Sequence, residues 1–157
     1  MPQAGAQGKK SGKRMTRRGR DRRAKTTNGK LGPATGRNAG TFVTRFMAKG
    51  GIVDVDEVAE TFHMTKTQLA NTTGLGVATL TKADRKTSPK AQRRVTEMLE
   101  IINRVHAWAG GEAQAMAWYR SQPIPALNGR TPEALVKSGK ANAVRDYLDH
   151  LALGGFA

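Results

Sequence analysis

The stretch MTKTQLANTTGLGVATLTKADR, residues 64–85, decides how the rest of the chain is read. Thr65 stands where a helix N-cap is needed, and the helix it opens over 66–72 presents Leu69 and Ala70 inward. The turn Thr73-Gly74-Leu75 follows, and a second short helix from Val77 to about Ala83 presents Val77, Leu80 and Ala83 on one face. Ala70 lets the two helices approach closely, Gly74 takes the turn, and Leu75 and Leu80 fill the space between them. This is the requirement of a helix-turn-helix, whose second helix enters a major groove. The exposed face would be Gly76, Val77, Thr79, Thr81 and Lys82, with Thr67, Gln68 and Arg85 flanking it. Thr hydroxyls and Lys suit phosphates or base edges, and Val77 suits a thymine methyl. The plain alternative is a helical hairpin with a solvated polar face.

Working outward, helical periodicity continues on both sides and no period-2 strand pattern appears. Upstream, 41–49 places Phe42, Val43, Phe46 and Met47 on one face before Gly50-Gly51. A helix over 55–62, capped by Asp54, turns Val55, Val58, Ala59 and Phe62 inward. Downstream, Ser88-Pro89 is a strong helix start, because the hydroxyl accepts an orphan N–H and Pro supplies a helical φ. The helix it opens, 89–109, carries Val95, Met98, Leu99, Ile102, Val105 and Ala109 at three- and four-residue steps. After Gly110-Gly111 come shorter helices over 112–120, 132–138 and 142–151, the second opened by Thr131-Pro132-Glu133 and the last carrying Val144, Tyr147, Leu148 and Leu151. The expected fold class is all-α.

Charge separates the first forty residues from the remainder. The 157 residues carry 27 Lys+Arg against 12 Asp+Glu, a net charge of +15. Twelve of the basic residues and one acid fall within 1–40, where Met1, Met15 and Leu31 are the sizeable apolar side chains. So little apolar surface cannot offset chain entropy, and 1–40 reads as a disordered basic arm. The expected division is this arm, a DNA-binding domain over 41–109 and a further domain over 110–157.

Composition excludes several function classes. With no Cys, a disulfide scaffold, a thiolate metal site and a Cys nucleophile are ruled out. His63, His106 and His150 lie far apart with no carboxylate spacing that suggests a metal. Glu97, Glu100, Asp146 and Asp149 read as solvated helix edges, and Met64, Met98 and Met116 as core filling. Neither a catalytic constellation nor a cofactor site is expected. No apolar run approaches the ~18 residues of a membrane span, and a cytoplasmic location is expected.

From about Val55 to the C-terminus the sequence resembles antitoxins of the Xre/MbcA/ParS group, whose partner is a RES-domain toxin. The resemblance rests on Gln68-Leu69-Ala70, Thr73-Gly74-Leu75 and Thr79-Leu80. It rests more specifically on Gly129-Arg130-Thr131-Pro132-Glu133-Ala134-Leu135, the Gly139 break, an amphipathic helix and the ending Gly154-Gly155-Phe156-Ala157. What it implies is a helix-turn-helix that binds the promoter of its own operon, and a C-terminal domain that docks on a toxin consuming or transferring the ADP-ribose part of NAD. Carried onto this chain, the inhibitory contacts would come from Gly154, Gly155, Phe156 and Ala157, supported by Arg130, Tyr147 and Leu151. The implied partners are the cognate toxin and operator DNA, in a hetero-oligomer with two or more antitoxin copies and no membrane. The segment 41–49, with Phe42, Phe46 and Met47, is one expected dimer face, and packing on its own domain is the other use of it. A stand-alone DNA-binding regulator is the alternative to an antitoxin.

Overall fold

A computed structural model describes residues 39–154, all of which fall in one compact unit. Residues 1–38 of the basic arm and Gly155, Phe156 and Ala157 lie outside the described residues, and Ala39 and Gly40, expected in the arm, open the first helix instead. Those described form nine α-helices: α1 (Ala39–Arg45), α2 (Val55–Thr61), α3 (Lys66–Thr73), α4 (Val77–Thr81), α5 (Ala83–Lys86), α6 (Pro89–Ala109), α7 (Glu112–Ser121), α8 (Pro132–Lys137) and α9 (Ala141–Ala152). A 3-10 turn at Pro125–Leu127 joins α7 to α8. The fold is all-α, as the periodicity requires, and the β-pairing among the described residues consists of two isolated bridges, Met47 with Val53 and Ile124 with Arg130.

The longest helix organises the rest because both of its ends are fixed by sequence. Ser88 Oγ accepts from the Ala91 N–H and Pro89 occupies the first turn, while Gly110 closes the far end. Between them Ala91, Val95, Met98, Leu99, Ile101, Ile102 and Val105 are fully buried. α7 returns along it, and α1, α8 and α9 pack on other parts of its surface. One hydrophobic core runs from Phe42 to Leu148. It therefore crosses the Gly110-Gly111 turn without interruption.

α1 is held where two interaction types coincide. Phe42 and Phe46 meet edge to face at 5.3 Å, Phe42 stacks on His106 at 5.6 Å and Phe46 on Phe62 at 6.2 Å. Arg45 lies 4.8 Å over the Phe46 ring and makes a two-pronged pair with Glu112 at 2.8 and 3.1 Å. With Phe42 8% and Phe46 1% exposed, these two rings are taken up by the protein's own core, and of the three residues expected on this face Met47 is the exposed one. The helix also ends at Arg45, earlier than 49. Gly50 and Gly51 take positive φ, and the turn they make pairs Met47 with Val53, Ala48 N donating to Ile52 O at 2.8 Å.

Gln92 completes this corner. Its Oε1 accepts from Val53 N at 2.6 Å, and its Nε2 donates to Val53 O at 3.1 Å and Lys86 O at 2.8 Å. One α6 side chain thus satisfies both backbone groups of Val53, which sits buried and opposite Met47 in an isolated bridge rather than in a strand.

Tyr119 is the largest fully buried side chain, and among the described residues its hydroxyl has no hydrogen-bond partner. Burial, reinforced by the nearby Glu133 and Glu97 carboxylates, pushes its pKa up, so the phenol stays protonated. A buried unpaired hydroxyl costs roughly 1–3 kcal/mol. Tyr119→Phe is therefore expected to raise the unfolding free energy by about 1 kcal/mol in urea titration, and a loss of stability would show that the hydroxyl is paired.

Candidate functional site

α3 begins with a full capping box. Thr65 Oγ1 accepts from Gln68 N at 3.1 Å, and Gln68 Oε1 accepts from Thr65 N at 2.8 Å. Thr73 Oγ1, buried at the other end, donates to Leu69 O at 2.8 Å. Gly74 then reverses the chain in the left-handed region with φ +69°, and Leu75 drops into the core.

The second helix is shorter than the sequence pattern predicts. α4 stops at Thr81, Lys82 is extended at φ −85° and ψ 129°, and α5 begins at Ala83. Val77, Thr79 and Thr81 are weak helix formers, and Thr81 Oγ1 back-bonds to Val77 O at 3.1 Å. Gly76 occupies the N-cap of α4 with no side-chain cap bond. The break brings Lys86 Nζ within 2.7 Å of Asp56 Oδ2, while Lys66 Nζ lies 2.7 Å from the other carboxylate oxygen. Lys66, then Lys86, hold the Asp56 carboxyl below its usual value of 3.8, and Asp56 in turn raises the pKa of Lys86. This link between α2, α3 and α5 is thus intact at neutral pH and is lost as pH falls below 3.8 through the depressed value.

Around this hairpin Thr67, Gln68, Gly76, Val77, Thr81, Lys82 and Arg85 are exposed and Thr79 is half-buried. Gln68 has given its oxygen to the cap, which leaves its amide N–H groups facing outward. Lys66 and Lys86 are paired, whereas Lys82 and Arg85 have no ion pair among the described residues. The same holds for Lys90 and Arg93 on the first turns of α6, both exposed. Periodicity alone gives these two only a solvated helix face, and their position just after the hairpin is the signal that marks them.

The hairpin turn touches the C-terminal part of the fold directly. A Cβ at Gly74 would lie 2.9 Å from Lys137 Cγ and 3.3 Å from Lys137 Cα on α8. Gly74→Ala meets both a left-handed backbone, roughly 1–2 kcal/mol for an L side chain, and a backbone atom that cannot swing aside. The expected loss is about 2–3 kcal/mol by thermal or urea unfolding. Adding Lys137→Ala should recover only part of it, since the crowding against the α8 backbone and the φ strain remain.

The C-terminal residues fall into two groups. Arg130 works inside the chain: its Nη2 donates to Ala134 O at 2.9 Å and Ser138 Oγ at 3.0 Å, bracing α8, whose N-terminus is capped by Thr131 with Pro132 in the first turn. Ile124 N donates to Arg130 O at 3.0 Å and closes the loop before it. Tyr147 and Leu151 are half-buried on α9 and pack against the core edge. Gly154 is exposed at φ +84° just beyond α9. Among the described residues no three His, Asp or Glu side chains group as metal ligands, and no helix is long and apolar enough to cross a membrane.

α9 is fixed to α6 by ion pairs in parallel register. Arg145 Nη2 lies 2.5 Å from Glu100 Oε2, and one turn further along both helices Arg104 pairs with Asp149. Residues 104–154, starting at that Arg104, match the family model of the antitoxin Xre/MbcA/ParS C-terminal toxin-binding domain. The last third of the chain is therefore similar to a toxin-docking module, which suggests an antitoxin of a toxin–antitoxin system. That C-terminal third is what the chain shares with the Xre/MbcA/ParS antitoxin family. No curated protein and no solved structure matches the chain.

Proposed function

We propose that this antitoxin neutralises a RES-domain toxin by placing its C-terminal tail, residues 154–157, in the toxin's NAD cleft, and that it represses its own operon through α3 and α4. The observation that carries the first part is the toxin-binding match over 104–154, which ends where that tail begins. The tail's sequence suits that role. Gly154-Gly155 gives a slim backbone and Phe156 one large apolar anchor. Tyr147 and Leu151 would support it from α9, with Arg130 acting through α8.

The DNA reading is supported by exposed Val77, Thr81 and Lys82 on and just past α4, with Lys82 and Arg85 outside any ion pair among the described residues and ready for phosphate. Lys90 and Arg93 extend that basic surface. Operators read by paired helices need two or more antitoxin copies, bridged either through their own contacts or through the toxin. The twelve basic residues of 1–40 would add phosphate contacts without base preference.

Co-expression with the reading frame adjacent to this one tests the pairing. Cells carrying the neighbour alone should lose NAD and stop growing, and both should recover when this chain is supplied. A neighbour that is harmless alone would leave the stand-alone regulator as the better reading. For the DNA half, deleting 1–40 should flatten the log–log salt dependence by about 0.9 for each phosphate no longer neutralised. Replacing Thr79 and Lys82 should instead cost preference for the operator over other sequences. An unchanged salt slope after deletion would remove the arm from the interface.

A further inference from the structure

Of the large apolar side chains exposed in the described residues, Met47, Ile52 and Val77 stand apart in the N-terminal half, whereas Trp108 at 41% and Leu153 at 88% exposure both lie within the matched domain. Trp108 sits on the last turn of α6 with its ring edge-on to that of Trp118 on α7, centroids 5.5 Å apart at 84°. Trp118 is half-buried against the core, so it supports Trp108 from one side. The other side follows from register. The α6–α9 ion pairs join Glu100 to Arg145 and Arg104 to Asp149, each 45 residues apart, and the same spacing carried one turn further pairs position 108 with position 153, the C-cap of α9.

The geometry points to an apolar platform made by Trp108, Trp118 and Leu153 as the anchor by which this domain grips its toxin. The inference rests on the antitoxin reading and adds the surface that supplies the affinity. Three observations favour a toxin as the occupant, received in an apolar recess on its surface. All three residues lie in the toxin-binding domain. Leu153 adjoins Gly154, where the tail proposed to enter the NAD cleft starts, so platform and tail can engage one surface together. The nearest charges along the two helices, Arg104 and Asp149, neutralise each other, which disfavours an anionic occupant and suits an apolar one. Two aromatic rings held edge-on by their own helices lose little freedom on binding, the property of interface hot spots.

The chain has two tryptophans, both in the platform, so uniform fluorotryptophan labelling places reporters nowhere else. The probe is the protein encoded by the adjacent reading frame, added to full-length labelled antitoxin. Both fluorine resonances should shift on its addition, and Trp108→Ser or Leu153→Ser should each weaken binding about thirtyfold, with circular dichroism unchanged. Ile52→Ser, an exposed apolar site far from the platform in sequence, should bind as before. If the toxin binds and is neutralised while both resonances stay put and the substitutions cost nothing, the platform is overturned and the antitoxin reading survives. Resonances that shift with the concentration of antitoxin alone, together with a lower mass for Trp108→Ser, would assign the platform to a second copy and overturn it equally. No binding by any form would defeat the antitoxin reading and the platform with it.

Discussion

Phe46→Asp is expected to unfold the protein and leave no folded species whose assembly could be measured. Phe46 is 1% exposed, edge-on to Phe42, stacked on Phe62 and covered by Arg45. Truncating a buried Phe costs about 3–5 kcal/mol, and an unpaired carboxylate in the same space adds several more unless it protonates. The sum reaches the total stability of an ordinary domain, about 5–15 kcal/mol. Circular dichroism should show the loss of helix, and Phe46→Leu should keep the fold with a reduced melting temperature. A folded Phe46→Asp protein of unchanged stability would mean that α1 does not pack on α6. Arg45 sharpens the expectation, because its guanidinium is pinned by Glu112 and is not free to follow the new carboxylate inward.

The largest functional effect is expected from removing residues 154–157. The truncated chain keeps α9, its ion pairs to α6, and Leu153, so it should still form a complex with the toxin on size exclusion. Its power to suppress NAD loss should fall on the order of a hundredfold or more, the scale of losing a central apolar anchor. A tail that instead plugs its own domain, with Phe156 on Tyr147 and Leu151, would give the opposite pattern: a less stable antitoxin whose inhibition fails only as far as it unfolds. Melting temperature and NAD turnover measured on one preparation separate the two.

The parts of the fold legible in the sequence are those set by residues within about four positions of one another. Thr65, Ser88 and Thr131 each start the helix that their hydroxyls cap, and Gly74 and Gly110 each end one. The apolar row of α6 is likewise read directly from its spacing. What escapes a reading of the sequence depends on partners far along the chain. Gln92 reads as a solvated helix residue until Val53, 39 positions earlier, is seen between its oxygen and nitrogen. Ile124, in a Pro-bounded loop with no period, is buried because Arg130 and the chain after it fold back over it. Phe42 and Phe46 show the limit most clearly: the pattern marks an apolar face correctly but cannot say whether the same chain or another copy covers it. At the candidate site, exposure of Val77, Thr81 and Lys82 follows from the pattern, while the pairing of Lys66 and Lys86 and the freedom of Lys82 and Arg85 do not. That difference is decided by where Asp56 lies.

The closeness of Gly74 to Lys137 bears on how such proteins can diversify. Two halves joined by a loose tether can be recombined freely between related genes, each bringing its own specificity. Here the turn between α3 and α4 fits against α8 so closely that even a methyl group is not accommodated. A gene exchange with its crossover between those segments must therefore inherit a glycine on one side and a matching α8 surface on the other, or arrive in the cell already destabilised. Sequences that drift at position 137 are constrained by position 74, and the part of the protein facing the toxin cannot change its backbone without the hairpin registering it.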